Sequence, residues 1–142
     1  MKRIYIFLSG IIGGGITVLF GGWDTTLQTL ILFMILDWFT GGIMLPVVFK
    51  KSPKSENGTL ESRVGFKGLC KKGVVLFYVL IGARLDILLG TSYIRGAVCI
   101  GFIVNELLSI VENAGLMGIP MPESVAKVID VLKKESQVKL DG

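Results

Sequence analysis

Histidine is absent from this sequence, and its two cysteines, Cys70 and Cys99, lie far apart along it. The first absence removes the side chain that most often moves protons or binds metal near neutral pH. Two separated thiols supply neither a metal centre nor a disulfide framework, and both read as small apolar fillers. Charge is missing over a longer interval still. Between Ile4 and Phe49 the only ionised side chains are Asp24 and Asp37. A water-soluble domain scatters Lys and Glu through every helix to keep one face wet, so an ordinary soluble fold is excluded. No nucleotide loop, nucleophile–base pair or other cofactor motif is present, and neither enzyme activity nor a cofactor is expected.

What fills the space is apolar. Of 142 residues 51% are hydrophobic, and they collect in runs over residues 4–20, 27–49, 73–90 and 94–111. A membrane-crossing helix needs about 20 such residues. The expected fold is therefore an all-α membrane protein with four transmembrane helices in residues 1–114. A cytoplasmic amphipathic tail is expected over 115–142. Lys2 and Arg3 before the first run give it the outline of a signal peptide, but Leu19 and Phe20 crowd the cleavage positions before Gly21. A retained first span is the better reading. Pro46, near the inner end of the second run, is placed to kink or end its helix.

The long polar interval runs from Lys50 to Lys72. It holds Lys50, Lys51, Lys54, Arg63, Lys67, Lys71 and Lys72, opposed only by Glu56 and Glu61. Pro53, Asn57, Gly58, Gly65 and Gly68 are expected to break any long helix there. The other basic residues outside the runs are Lys2 and Arg3, then Lys127, Lys133, Lys134 and Lys139 in the tail, and a single Arg95 in the two intervening turns. Basic loops stay in the cytoplasm, so both termini and the loop are expected there, in the cytoplasmic membrane. The net charge of +4 is thus directed at lipid headgroups. No aromatic-interleaved basic patch suggests nucleic acid, and none is expected as a partner.

Polar residues inside the expected spans are costly and become the candidate site. They are Asp37, Arg84, Asp86, Asn105 and Glu106. At the helical rise Asp37 and Glu106 fall at similar depth. Arg84 is expected to pair with Asp37 or Asp86, and Asp86 to lie close enough to the outer surface to be solvated. Such groups serve either as interhelical glue, worth about 0.6–2 kcal/mol per contact, or as the lining of a water-filled path. Gly10 and Gly14 share a G-x-x-x-G spacing, a candidate packing face for another helix of this chain or of a neighbour.

Gly115, Gly118, Pro120 and Pro122 end the fourth run, and Pro122 suits the first turn of a new helix. Val125, Val128, Ile129 and Leu132 then form one apolar stripe among Lys127, Asp130, Lys133, Lys134 and Glu135. The segment is too charged to be read as a span. Lying on the membrane, packing on the basic loop and pairing with another subunit are the roles open to it.

Several of these residues recur in order. Asp37-Trp38-Phe39-Thr40-Gly41 is followed by Ser62-Arg63-Val64-Gly65-Phe66-Lys67-Gly68 and Lys71-Lys72. Then come Asn105-Glu106-Leu107-Leu108-Ser109-Ile110-Val111-Glu112-Asn113 and Gly118-Ile119-Pro120-Met121-Pro122. From Leu32 to Leu132 this arrangement resembles the phage-lysis and toxin-secretion holin family. The resemblance implies a homo-oligomer that opens lesions in the bacterial cytoplasmic membrane. Membrane lipid would be its partner, with an endolysin or toxin as released cargo. The residues alone leave open a small ion channel or transporter subunit, or a helical partner within a larger complex.

Overall fold

Each apolar run folds as a helix, bounded by residues that cannot continue one. The structure is a computed structural model that describes residues 1–141, all-helical among them. Helix α1 (Lys2–Leu19) ends at Gly21 and Gly22, both with positive φ. A side chain at Gly21 would also meet Arg95 at 2.8 Å, so only glycine fits that turn. Helix α2 (Thr25–Phe39) starts where the Asp24 carboxylate accepts a hydrogen bond from the Leu27 amide at 2.9 Å, an N-cap. It continues without a break into a π-helical stretch, Thr40–Phe49, that contains Pro46. Proline lacks an amide hydrogen and collides with the carbonyl of the preceding α-helical turn. The wider π turn takes it in without ending the helix, which stops instead at Lys50 in the left-handed region.

The basic interval is not all loop. Helix α3 (Ser62–Leu89) begins inside it and carries Arg63, Lys67, Lys71 and Lys72, with Gly65 and Gly68 in its interior. The expectation that these glycines break the helix is corrected. Each weakens a helix by only about 1 kcal/mol, and both sit where α3 faces a cavity against the second helix. Gly90, in the left-handed conformation, caps α3. Helix α4 (Ile94–Leu116) follows, and its N-terminus is capped from α3. The Asp86 carboxylate accepts from the amides of Ile94 and Arg95, both at 3.0 Å, and from the Thr91 hydroxyl at 2.7 Å. Spacing along the sequence does not signal that capping role.

α4 is the central element, packed by α2, α3 and helix α5 (Glu123–Asp141). The core joins Leu27, Leu30 and Met34 of α2 to Val79 of α3 and to Cys99 and Ile103 of α4. At Gly82, a Cβ would sit 3.1 Å from the Arg95 backbone, so glycine lets α3 and α4 close together. Around this core α1, α2 and much of α3 expose large apolar side chains. Ile35, Phe39, Val48, Phe77, Ile81, Ile87 and Leu88 are exposed, and no residue of α1 is buried. Exposed apolar area on this scale marks a surface meant for lipid or protein.

Three helical segments among the described residues are long and apolar enough to cross a membrane: Lys2–Leu19, Thr25–Phe49 and Ile94–Leu116. The expected third span lies in α3, where the apolar part starts directly after Lys71 and Lys72 and carries Arg84 and Asp86. Its polarity separates it from the other three.

Candidate functional site

Asp37 and Glu106 come together from α2 and α4, and the residue between them is Lys72. Its ammonium donates to Asp37 Oδ2 and to Glu106 Oε2, each at 2.7 Å. All three side chains are withdrawn from solvent, Glu106 most of all at 5% exposure. Asn113 completes the group from the last turns of α4. Its Nδ2 donates to Asp37 Oδ1 at 3.0 Å and to Thr40 Oγ1 at 2.8 Å. The Thr40 hydroxyl donates in turn to the Leu36 carbonyl at 2.8 Å. A side chain at Gly41 would press on Asn113 at 2.9 Å, so glycine leaves room for that amide.

The sequence dictates this arrangement locally. Thr40 opens the π-helical stretch, where the backbone widens beside Asp37. Lys72 is the last basic residue before the apolar part of α3, so its long stem can bury while its head reaches a partner. A buried carboxylate without a cation is strongly disfavoured. Two carboxylates at one depth therefore demand the nearest Lys or Arg that any packed helix offers.

A cavity of about 230 Å³ opens beside the group. It is lined by Trp38, Asn105, Ser109 and Lys71 together with the three charged residues. The buried Trp38 indole N–H has no protein partner. So many polar groups around one space suit a hydrated cavity better than a sealed core. The arrangement can bind water, hold three helices in register and respond to charge. Among the described residues no three His, Cys, Asp or Glu side chains gather as metal ligands.

A second charged group closes the opposite end. The Arg95 guanidinium donates to Asp24 Oδ2 at 2.8 Å, to the Gly22 carbonyl at 3.0 Å and to the Phe20 carbonyl. It thereby ties the α1–α2 turn to α4. The Arg95 hydrogen bond, aided by the Leu27 amide, holds the Asp24 carboxyl below the usual aspartate range.

The expected partners thus need correction. Arg84 is exposed and makes no ion pair with Asp37 or Asp86, which are engaged by Lys72 and by the α4 N-terminus. Asn105 is exposed and touches only the cavity wall. Gly10 and Gly14 lie on α1 with nothing within 4 Å of an added Cβ. Sequence reasoning missed Lys72, Asn113 and the Arg95–Asp24 clamp. The signal for Lys72 was its position at the edge of an apolar run, 35 and 34 residues from the two acids it joins.

Residues 14–134 match the model of the bacteriophage holin family. An uncharacterised protein of Clostridium perfringens strain 13 is 35% identical over 125 residues, covering 87% of this chain and 86% of the relative. An uncharacterised 14.9 kDa protein in the nagH 3′ region of Clostridium perfringens is 37% identical over 121 residues, covering 84% and 85%. An uncharacterised protein of Halalkalibacterium halodurans is 30% identical over 139 residues, covering 94% and 96%. No solved structure matches the chain.

Proposed function

The chain belongs to the bacteriophage holin family, and from that premise we propose that it assembles into lesions of the bacterial cytoplasmic membrane that release an endolysin or a toxin. The family points to a non-enzymatic membrane protein. In this reading α3 crosses the membrane as a fourth span from Gly73 to Gly90, with Arg84 snorkelling outward and both termini starting in the cytoplasm. The observation that carries the proposal is an inverted distribution of polarity. Lys72, Asp37 and Glu106 are withdrawn inside the bundle, while large apolar side chains cover the outside of α1, α2 and much of α3. Helices so built are soluble in lipid, and they hold polar groups that can meet water once copies associate.

Expression of the full chain in bacteria should leave growth normal until a threshold amount accumulates, and then collapse the membrane potential abruptly. Co-expression with a cytosolic cell-wall hydrolase that lacks a signal peptide should then lyse the culture. A potential that stays normal at high membrane levels defeats the reading. Lost potential with the hydrolase retained indicates the narrow channel instead.

A further inference from the structure

Helix α5 lies antiparallel along α4 over most of its length. Val128 and Leu132 meet Ile100, Ile103 and Leu107 around an apolar pocket. Ser136 Oγ stands 3.9 Å from where a Cβ at Gly101 would be, and Lys139 Nζ 3.7 Å from the same point at Gly96. The C-terminal end of α5 is therefore level with the first turn of α4, a helix long and apolar enough to cross a membrane. α5 has 19 residues, about 28 Å at the helical rise, close to the roughly 30 Å hydrocarbon core.

This register poses a physical problem with one solution. The face of α5 turned away from α4 carries exposed Lys127, Asp130, Lys133, Lys134 and Glu135 beside exposed Val131 and Val138. Ionised side chains at that depth cannot face lipid. They can face water. Lys127 pairs with Glu123 at 3.1 Å, and Asp130 and Glu135 stand beside Lys133 and Lys134, so that face is mixed in sign, as suits an aqueous wall open to both ions and protein.

We propose that the docked α4–α5 pair is the lumen-lining unit of the open assembly, with α5 turning its charged face to the aqueous hole. The inference rests on the hole-forming reading above and adds which surface meets the water. It requires that α5, whose C-terminus starts in the cytoplasm, insert along α4 as the hole opens and stay there while it is open. A tail that leaves α4 to lie on the cytoplasmic surface makes the opposite demand.

A disulfide lock separates the two. The full chain would carry Cys70→Ser and Cys99→Ala, with Gly101→Cys and Ser136→Cys added where the gap is small enough for a bridge after slight adjustment. In bacterial membranes the pair should cross-link on oxidation, and the locked chain should collapse the potential as fully as the reduced one. Failure to cross-link, or a lock that prevents collapse until reductant is added, overturns the inference while the reduced chain still upholds hole formation. A reduced chain that never collapses the potential removes both. A second variant tests the water-facing side. Lys127→Leu, Lys133→Leu and Lys134→Leu together in the locked chain should abolish collapse, and full collapse by that variant rules out a lining role for the face.

Discussion

The two charged groups at the ends of the bundle have the same ingredients and different construction. Each joins one cation to carboxylates: the Lys72 ammonium to Asp37 and Glu106, and the Arg95 guanidinium to Asp24, with Asp86 accepting from the Arg95 backbone amide. At the first end, side chains answer one another and are largely buried. At the second, most bonds go to backbone. Arg95 reaches two carbonyls, Asp86 receives two amides, and the Asp24 side chain is 49% exposed. A group that closes on its own side chains fails when one member is lost. A group that spreads its bonds over backbone and water fails by degrees.

The largest effect should come from breaking the side-chain group. Lys72→Met leaves Asp37 and Glu106 facing each other without a cation. The loss of one partner from a buried pair costs about 3–5 kcal/mol. Purified protein in detergent should unfold at much lower temperature, and its level in membranes should fall. Adding Asp37→Asn and Glu106→Gln to the same variant should restore most of the loss, since no uncompensated charge remains. A triple variant as unstable as the single would mean that the ammonium's packing, not its charge, holds the helices.

The Arg95 group should yield less. Arg95→Lys keeps the charge but not the planar fork that serves Asp24 and two carbonyls at once. Groups left unsatisfied there cost about 1–3 kcal/mol in total, softened by access to water. The same end should also respond to acid. Arg95 lowers the folded pKa of Asp24 from its ordinary 3.8. A depressed carboxylate contributes its full stability above the unfolded value and loses it as pH falls through the lower folded one. Unfolding followed from pH 5 downward should therefore show a decline that Asp24→Asn reduces, because asparagine still caps α2 without titrating. An undiminished decline would assign the acid sensitivity elsewhere.

That contrast also marks what the sequence could reveal. The apolar runs, the shared depth of Asp37 and Glu106, and the stripe of α5 follow from local spacing. Within that stripe Ile129 is buried and Val125 and Leu132 are half-buried, while Val128 remains 51% exposed. Lys72 was hidden because its partners lie more than thirty residues away in sequence, where no periodicity reaches. The capping role of Asp86 was hidden for the same reason, since it caps a helix other than its own. Pro46 signalled a disturbance but not its form. A π-helical stretch answers to the packing of Asn113 and Trp38 beside Gly41 and Gly42 as well as to the proline itself.

The smallest effect on folding, and the one that says most about assembly, should come from a region with neither kind of group. α1 has no buried residue, and Gly10 and Gly14 face open space. Their G-x-x-x-G spacing has no partner among the described residues. Alanine at both positions meets nothing, and each exchange favours a helix by about 1 kcal/mol. Gly10→Ala with Gly14→Ala should therefore leave the unfolding temperature in detergent unchanged or slightly higher. If close helix contact between copies uses this face, the added methyl groups hold two backbones apart, and the threshold for potential collapse should move to a higher membrane concentration. Stability then holds or rises while hole-forming potency falls, which a folding defect cannot produce. A fall in unfolding temperature would place a partner for these glycines inside the monomer. An unmoved threshold would exclude them from the contact between copies and leave α1 to lipid.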